Sequence, residues 1–227
     1  MAGVNRGMSA AIVSSSRPVT LLGGGELEPE DLELALRHAP GLVAADGGAA
    51  AALRAGRMPD AVIGDMDSLS PEARARIPAE RLHRIAEQET TDFDKCLRSV
   101  AAPALICVGF TGARRDHELA ALSALVRHPR RRALVLSPRD VIFHAGRTLA
   151  LDLPAGSRLS LFPMAAIRGR SSGLEWPLAG LDLAPWGRIG TSNRVTGPVR
   201  LSFDGDGMLA VLPRAALERV LQSWGVA

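Results

Sequence analysis

The chain has 227 residues, 47% of them hydrophobic and 22% charged, and a formal net charge of +3, the make-up of a globular protein with a real core in one large domain or two modest ones. No apolar run approaches the roughly 20 residues that span a bilayer, and five Phe, three Trp and no Tyr leave few stacking platforms for single-stranded nucleic acid. Neither a membrane nor a nucleic-acid partner is expected. Cys96 and Cys107 follow no metal-ligand spacing and read as buried, reduced thiols in a cytoplasmic protein.

Residues 1–17 are small and polar, with Arg6 and Arg17 but no apolar stretch suited to a secretion signal. They read as a flexible extension with a second candidate start at Met8. Residues 18–140 then alternate between strand-like and helix-like segments. Val19-Thr20-Leu21-Leu22 runs into Gly23-Gly24-Gly25, and a helix opens at Glu28-Pro29-Glu30 with Leu32, Ala35 and Leu36 on one face. Leu42-Val43-Ala44-Ala45 ends at Asp46-Gly47-Gly48, an alanine-rich helix follows to about Arg54, and Ala61-Val62-Ile63 ends at Gly64-Asp65. A strand over 104–109 leads to helical spacing of Leu119, Leu122, Leu125 and Val126, and Ala133-Leu134-Val135-Leu136 reads as one more buried strand. This alternation predicts a mostly parallel sheet with helices on both faces, whose ligands lie beyond the carboxyl ends of the strands.

After residue 140 the pattern changes to short strands, clearest at 147–153, 158–163, 199–203 and 208–212, with a short helix over 213–224. Asp204-Gly205-Asp206-Gly207 carries the residues of a hairpin turn between the last two strands. The expected division is an extension over 1–17, an α/β domain over 18–140 and an antiparallel β domain over 141–227. Arg130-Arg131-Arg132, after His128-Pro129, reads as a solvated loop.

Three polar clusters sit at the ends of apolar runs: Gly64-Asp65-Met66-Asp67-Ser68, Thr90-Thr91-Asp92-Phe93-Asp94-Lys95 and residues 111–117. Carboxylates suit a hard divalent cation, while Arg, Lys and glycine amides suit phosphate oxygens, so the combination reads as a magnesium–nucleotide site. Asp65 and Asp67, two apart in extended chain, face one side and can approach one cation; an Asx-type turn is the ordinary alternative. Asp92 adds a third carboxylate, although Asp92 and Asp94 also suit the first turn of a helix. Lys95 is the only lysine among 27 Lys and Arg residues, as expected where a compact ammonium is required. Asp116 can cap a helix that follows the arginine loop. Among residues 173–178 and 190–193, Trp176 can stack on a flat heterocycle, or lie in the core.

Six segments in order resemble the thiamine pyrophosphokinase (thiamine diphosphokinase) family: residues 45–49, 59–68, 88–95, 111–117, 173–178 and 191–193. The likeness covers nearly all of residues 18–212. Ala113 stands where the family commonly has glycine, and Met66 where it usually has Phe. The resemblance implies a three-layer α/β/α domain followed by a C-terminal antiparallel β-sandwich, in a homodimer with active sites at the subunit interface. It implies transfer of pyrophosphate from ATP, the co-substrate, to the thiamine hydroxyl, giving thiamine diphosphate and AMP. On that footing Asp65, Asp67 and Asp92 bind Mg2+, and Asp67, Asp92, Lys95, Arg114 and Asp116 are catalytic. Asp46, Gly47, Gly64, Thr91, Lys95, Arg114 and Asp116 bind ATP, and Gln88, Trp176, Thr191, Ser192 and Asn193 bind thiamine. A pterin diphosphokinase is the nearest enzymatic rival, distinguished by the second half of the chain. A non-catalytic nucleotide or thiamine diphosphate sensor would lack the metal carboxylates, and this sequence has all three.

Overall fold

The computed structural model describes residues 11–112 and 114–226; the candidate start at Met8, the rest of residues 1–10, and Ala113 lie outside the described residues. The elements up to residue 136 are β1 (Val13–Ser14), β2 (Val19–Leu22), α1 (Pro29–His38), β3 (Gly41–Ala45), α2 (Asp46–Arg54), β4 (Ala61–Gly64), α3 (Pro71–Arg76), β5 (Leu82–Arg84), α4 (Asp92–Ser99), β6 (Val100–Ala101), β7 (Leu105–Val108), α5 (Arg115–Arg127) and β8 (Ala133–Leu136). Part of the stretch read as an extension is tied down: β1 pairs with β6, and the Ile12 amide donates to the Ser99 carbonyl at 2.8 Å.

β7 pairs in parallel with β2 and β8, and β4 pairs in parallel with β3 and β5. A bridge between Val19 and Pro40 sets β3 beside β2. The chain therefore steps one way from β2 to β5, then returns past β2 to reach β7. The reversal between β2 and β7 opens the crevice that doubly wound sheets use for ligands.

Both faces of this sheet are covered, which is why its strands are continuous apolar runs. Leu105 and Cys107 of β7 face the core beneath α4 and α5, where Phe93, Leu97, Ala121 and Leu125 pack. Ile106 and Val108 point the other way, towards Leu32 and Ala35 of α1. α2 and α3 cover the neighbouring strands through Ala49, Leu53 and Ala73 on Ala44 and Val62.

The second half is β9 (Asp140–His144), β10 (Thr148–Leu151), β11 (Arg158–Pro163), β12 (Ile167–Leu174), β13 (Asp182–Leu183), β14 (Gly190–Phe203), β15 (Met208–Pro213) and α6 (Leu217–Ser223). β9 turns back antiparallel on β8, then pairs with β15, so one mixed sheet runs on from the α/β half into the β half. β14 serves two layers. Its first part pairs with β11, and its last part with β10 and β12. Leu149, Leu159, Val199 and Leu201 share a core cluster with Leu32 and Leu134, so the two halves are joined by packing as well as by the sheet. Asp31 of α1 and Arg214 after β15 form a further link.

The expected hairpin at 204–207 is not one. β11 lies between β14 and β15. The Asp204 amide donates to the Arg168 carbonyl on β12, and the Gly207 carbonyl accepts from the Met164 amide after β11. Asp-Gly chemistry specifies a local reversal, not which strands pair on either side of it. Here the length of β14 carries its end into the other layer. The expected helix over 213–224 is a single 3-10 turn at Arg214–Ala216 followed by α6.

Close backbone approach at the strand ends depends on glycine. A Cβ on Gly48 would lie 2.1 Å from the Leu22 carbonyl oxygen, and one on Gly23 would lie 2.3 Å from that of Gly109. The Gly48→Ala variant must push α2 away from β2, and overpacking of this kind costs about 2 kcal/mol. The expected drop in thermal midpoint is about 4–8 °C. An unchanged midpoint would show that the helix start is not packed as described.

Candidate functional site

Strand register assembles an acidic cluster. Ala45 of β3 is paired with Ile63 of β4, so Asp46 and the Gly64-Asp65 pair leave neighbouring strands side by side. Gly64 has no room for a side chain: its Cβ would sit 2.9 Å from the Asp46 carboxyl carbon and 3.1 Å from an Asp92 oxygen. Asp46 opens α2 and is 1% exposed. Its carboxylate accepts the Gly47 amide at 2.6 Å and the Ser68 amide at 3.4 Å.

Asp65 and Asp67 meet by a different route from the expected extended chain. Met66 between them has φ of 69°, a left-handed conformation uncommon outside glycine and asparagine. The Asp67 amide donates to Asp65 Oδ1 at 3.3 Å, closing an Asx-type turn. That turn does not compete with a cation site. One carboxylate oxygen from each of Asp46, Asp65 and Asp67 lies within 4.8 Å of the others, a grouping that could hold a metal ion. Oxygen-only donors at strand ends fit a hard divalent cation.

Asp92 is placed differently from its expected role as the third ligand. It is the first residue of α4, whose cap Thr91 accepts the Asp94 amide at 3.4 Å. Its Oδ1 accepts from Lys95 Nζ at 2.9 Å, and the same ammonium lies 3.4 Å from Asp65 Oδ2. The Lys95 side chain is 1% exposed. Burial opposes its charge, but the hydrogen bond and charge of Asp92, with Asp65, outweigh burial and hold its pKa above the ordinary lysine value. Asp46 meets the reverse balance. Burial first, then the hydrogen bond and charge of Asp92, raise it from 3.8 to about 7 against the Ser68 and Gly47 amides. For Asp65, burial is the largest influence and raises the pKa. The Asp67 amide, Gln88 and Lys95 together prevail and bring it down to about 2. Asp92 and Asp65 flank one ammonium while Asp46 and Asp67 crowd Asp65, a concentration of carboxylates that a divalent cation would offset.

Gln88, expected at the thiamine, belongs to this cluster: its amide donates to Asp65 Oδ2 at 2.8 Å. The loop that carries it is gathered by Glu87, which the sequence reading passed over. Glu87 accepts from the amides of Glu89 at 3.0 Å and Thr90 at 3.2 Å, from the Thr90 hydroxyl at 2.5 Å, and from Arg98 at 2.5 Å. Nothing in its spacing distinguishes it from a solvated glutamate. Asp94, in the same motif, is structural, since it accepts from Arg127 at 3.1 Å and contacts His128 at 3.0 Å, tying α4 to α5.

Arg114 and Asp116 pair with each other, at 2.6 Å, and each is 65% exposed. Asp116 is not the helix cap; that position is Arg114, and α5 starts at Arg115. The loop before it reaches the β2 crevice, where the Gly25 amide donates to the Gly109 carbonyl at 2.7 Å and that of Glu26 to the Thr111 carbonyl at 3.1 Å. Arg114 and Asp116 therefore stand by that crevice, and no hydrogen bond among the described residues joins them to the acidic cluster.

The third group lies just past β12 and at the start of β14. Trp176 is 54% exposed, so it is not a core residue. Asn193 is buried against its main chain, while Thr191 and Ser192 are exposed at the start of β14. None of the hydrogen bonds among the described residues joins Trp176, Thr191, Ser192 or Asn193 to the acidic cluster. No helix among the described residues is long and apolar enough to cross a membrane.

Residues 32–136 match the family described as thiamin pyrophosphokinase, catalytic domain. Thiamine pyrophosphokinase 1 of Oryza sativa subsp. japonica is 29% identical over 168 residues, 65% of this chain and 64% of that protein, so the chain spans less than two thirds of that relative. Thiamine pyrophosphokinase 1 of Arabidopsis thaliana is 28% identical over 201 residues, covering 74% of this chain and 75% of the relative. Among solved structures, thiamin pyrophosphokinase from Candida albicans aligns with a TM-score of 0.71 at 15% identity, over 90% of this chain and 95% of that one. Thiamine pyrophosphokinase from Bacillus subtilis gives 0.70 at 21% identity, over 87% and 98%. At those identities the structural likeness establishes the α/β fold with its large mixed sheet.

The crowded carboxylates have a pH signature in the chelator-treated protein. Asp46 binds a proton more tightly in the folded than in the unfolded state, so its contribution to stability falls as pH rises from about 4 to 7. Asp65 acts oppositely: its contribution is present above its ordinary value of 3.8 and is lost as pH falls towards 2. Carboxyl 13C NMR should therefore give an Asp46 midpoint near 7 that moves down in Asp92→Asn. A midpoint near 4 in both proteins would contradict the coupling.

Proposed function

We propose that this chain, which belongs to the thiamine pyrophosphokinase family, is a thiamine diphosphokinase that transfers the terminal pyrophosphoryl group of ATP to the hydroxyl of thiamine. The hydroxyl oxygen forms a bond to the β-phosphorus and gives up its proton to solvent, the bond from that phosphorus to the oxygen bridging the α-phosphate breaks, and AMP leaves. The single observation that carries this reading is the acidic cluster around Lys95, at the carboxyl edge of the sheet and within the span of the family match.

Little covalent chemistry falls to the protein in such a transfer, so positioning and charge dominate. Asp65 and Asp67, with Asp46 or Asp92 completing the set, are the groups that would hold Mg2+. A bound magnesium ion would neutralise phosphate oxygens there. Lys95, fixed between Asp92 and Asp65, presents a buried ammonium to the polyphosphate. Gln88 is oriented by Asp65 towards the transferred group. Asp46, Gly47, Gly64 and Thr91 form the floor of the nucleotide site, and Arg114 would exchange its exposed partner Asp116 for phosphate oxygens. Trp176 supplies the face on which the thiamine rings stack, flanked by Thr191 and Ser192.

No hydrogen bond among the described residues joins the thiamine and nucleotide groups, and a homodimer in which the β half of one copy completes the site of its partner would bring them together. The two buried free cysteines support a cytoplasmic setting.

Incubation of the purified protein with ATP, Mg2+ and thiamine should yield AMP and thiamine diphosphate in equal amounts. Formation of ADP would overturn the reaction assigned. Trp176→Ala should raise the KM for thiamine about threefold to tenfold, the range given by an aromatic contact, with a smaller effect on the KM for ATP. The opposite ranking would remove Trp176 from the thiamine site. Lys95→Arg should lose most of kcat, because a planar guanidinium does not fit the buried ammonium site. Full retention would show that any cation suffices.

A further inference from the structure

β12 does not simply end at Leu174. Leu174 still pairs with Val195, and the Glu175 amide donates to the Arg194 carbonyl at 2.9 Å. At the next residue a side chain takes over the ladder. Asn193 Oδ1 accepts from the Trp176 amide at 3.2 Å, and Asn193 Nδ2 donates to the Trp176 carbonyl at 2.7 Å. The same Oδ1 accepts the Arg194 amide at 2.8 Å. A carboxamide carries one acceptor and a donor in the arrangement of a peptide group. Asn193 therefore reproduces the two-way exchange of an antiparallel pair beyond the point where the backbones diverge. At 5% exposure it is spent on the protein's own main chain.

Trp176 is thus fixed at its backbone while its indole stays open to solvent. The Arg194 guanidinium lies 5.9 Å from the ring centroid, at the edge of cation–π range. Glu175 grips that guanidinium at both ends, through Nε and through Nη2, the latter at 2.6 Å. Trp176 is 54% exposed as a whole, which leaves indole surface beside that ion pair for a flat ring.

We propose that Asn193 is a positioning residue for Trp176 and not a substrate ligand. It pins both main-chain groups of Trp176, so that the exposed indole is presented as a platform beside the Arg194–Glu175 pair. This deepens, and rests on, the reading of Trp176 as the thiamine platform. It accounts for an asparagine whose polar atoms are consumed internally beside a large aromatic side chain left half exposed.

Incorporation of 5-fluorotryptophan gives one 19F signal each for Trp176, Trp186 and Trp224, assigned by single Trp→Phe variants. In Asn193→Ala the Trp176 signal should shift and broaden while the other two stay in place. The KM for thiamine should rise about threefold to tenfold, by more than kcat falls, with the KM for ATP little altered. Asn193→Asp, which keeps the acceptor for two amides but loses the donor to the Trp176 carbonyl, should fall between wild type and Asn193→Ala in both readouts. A raised KM for thiamine with an unmoved Trp176 signal would overturn the proposal, because Asn193 would then touch the substrate itself. A Trp176 signal that does not respond at all would overturn it as well. A Trp176 signal that moves with no change in the KM for thiamine would uphold the positioning role and sink the assignment of Trp176 to thiamine. Failure of the wild-type protein to form AMP would fall on the proposed reaction alone, since the 19F readout needs no substrate.

Discussion

One buried ammonium organises the functional end of this protein. Lys95 sits 2.9 Å from Asp92 and 3.4 Å from Asp65. A charge this deep is tolerated only when it is paired and hydrogen bonded. The pairing spans two elements, because Asp92 lies on α4 beside Lys95 whereas Asp65 leaves the end of β4. Removing either carboxylate leaves a buried cation short of partners. The local arrangement of Asp46, Asp65, Asp67 and Gln88 is built outward from that contact, and its unbalanced negative charge is the feature that points to a divalent cation and a polyphosphate.

The fold exists, at this edge, to hold three strand ends in register. β3, β4 and β5 deliver Asp46, Asp65 and the Gln88 loop to neighbouring positions. Gly64 keeps the space between Asp46 and Asp92 free of a side chain, and Gly48 lets α2 start directly against β2. α4 is held at its far side by Asp94 with Arg127 and His128, so the helix that carries Lys95 cannot drift from α5. The second half is no loosely attached module: it continues the sheet through β8 and β9 and shares the core of α1.

Much of this was legible in the chain. Period-free apolar runs ending in Asp or Gly marked the buried strands, and the solitary Lys95 is the residue found buried between two carboxylates. Residues far apart in sequence, such as Asp65 and Lys95, were correctly grouped because parallel strands end at a common edge. What failed depended on pairing rather than composition. The turn at 204–207 did not reveal that β14 changes layers, and spacing could not show that Met66 turns left-handed to bring Asp65 and Asp67 together. The closeness of Asp46 to Asp65 was also invisible in the chain, because it arises only from the Ala45–Ile63 register. Glu87 and Asn193 work by collecting main-chain donors and acceptors, which leaves no periodic or compositional trace.

Manganese titration followed by electron paramagnetic resonance tests the central claim most directly, since Mn2+ is a spectroscopic counterpart of Mg2+ at oxygen ligands. One ion should bind per chain in the wild-type protein, and that binding should be lost in Asp65→Asn and in Asp67→Asn but kept in Asp116→Asn. Equal binding in Asp65→Asn and wild type would contradict the account, because the carboxylates gathered around Lys95 would then not be the cation site.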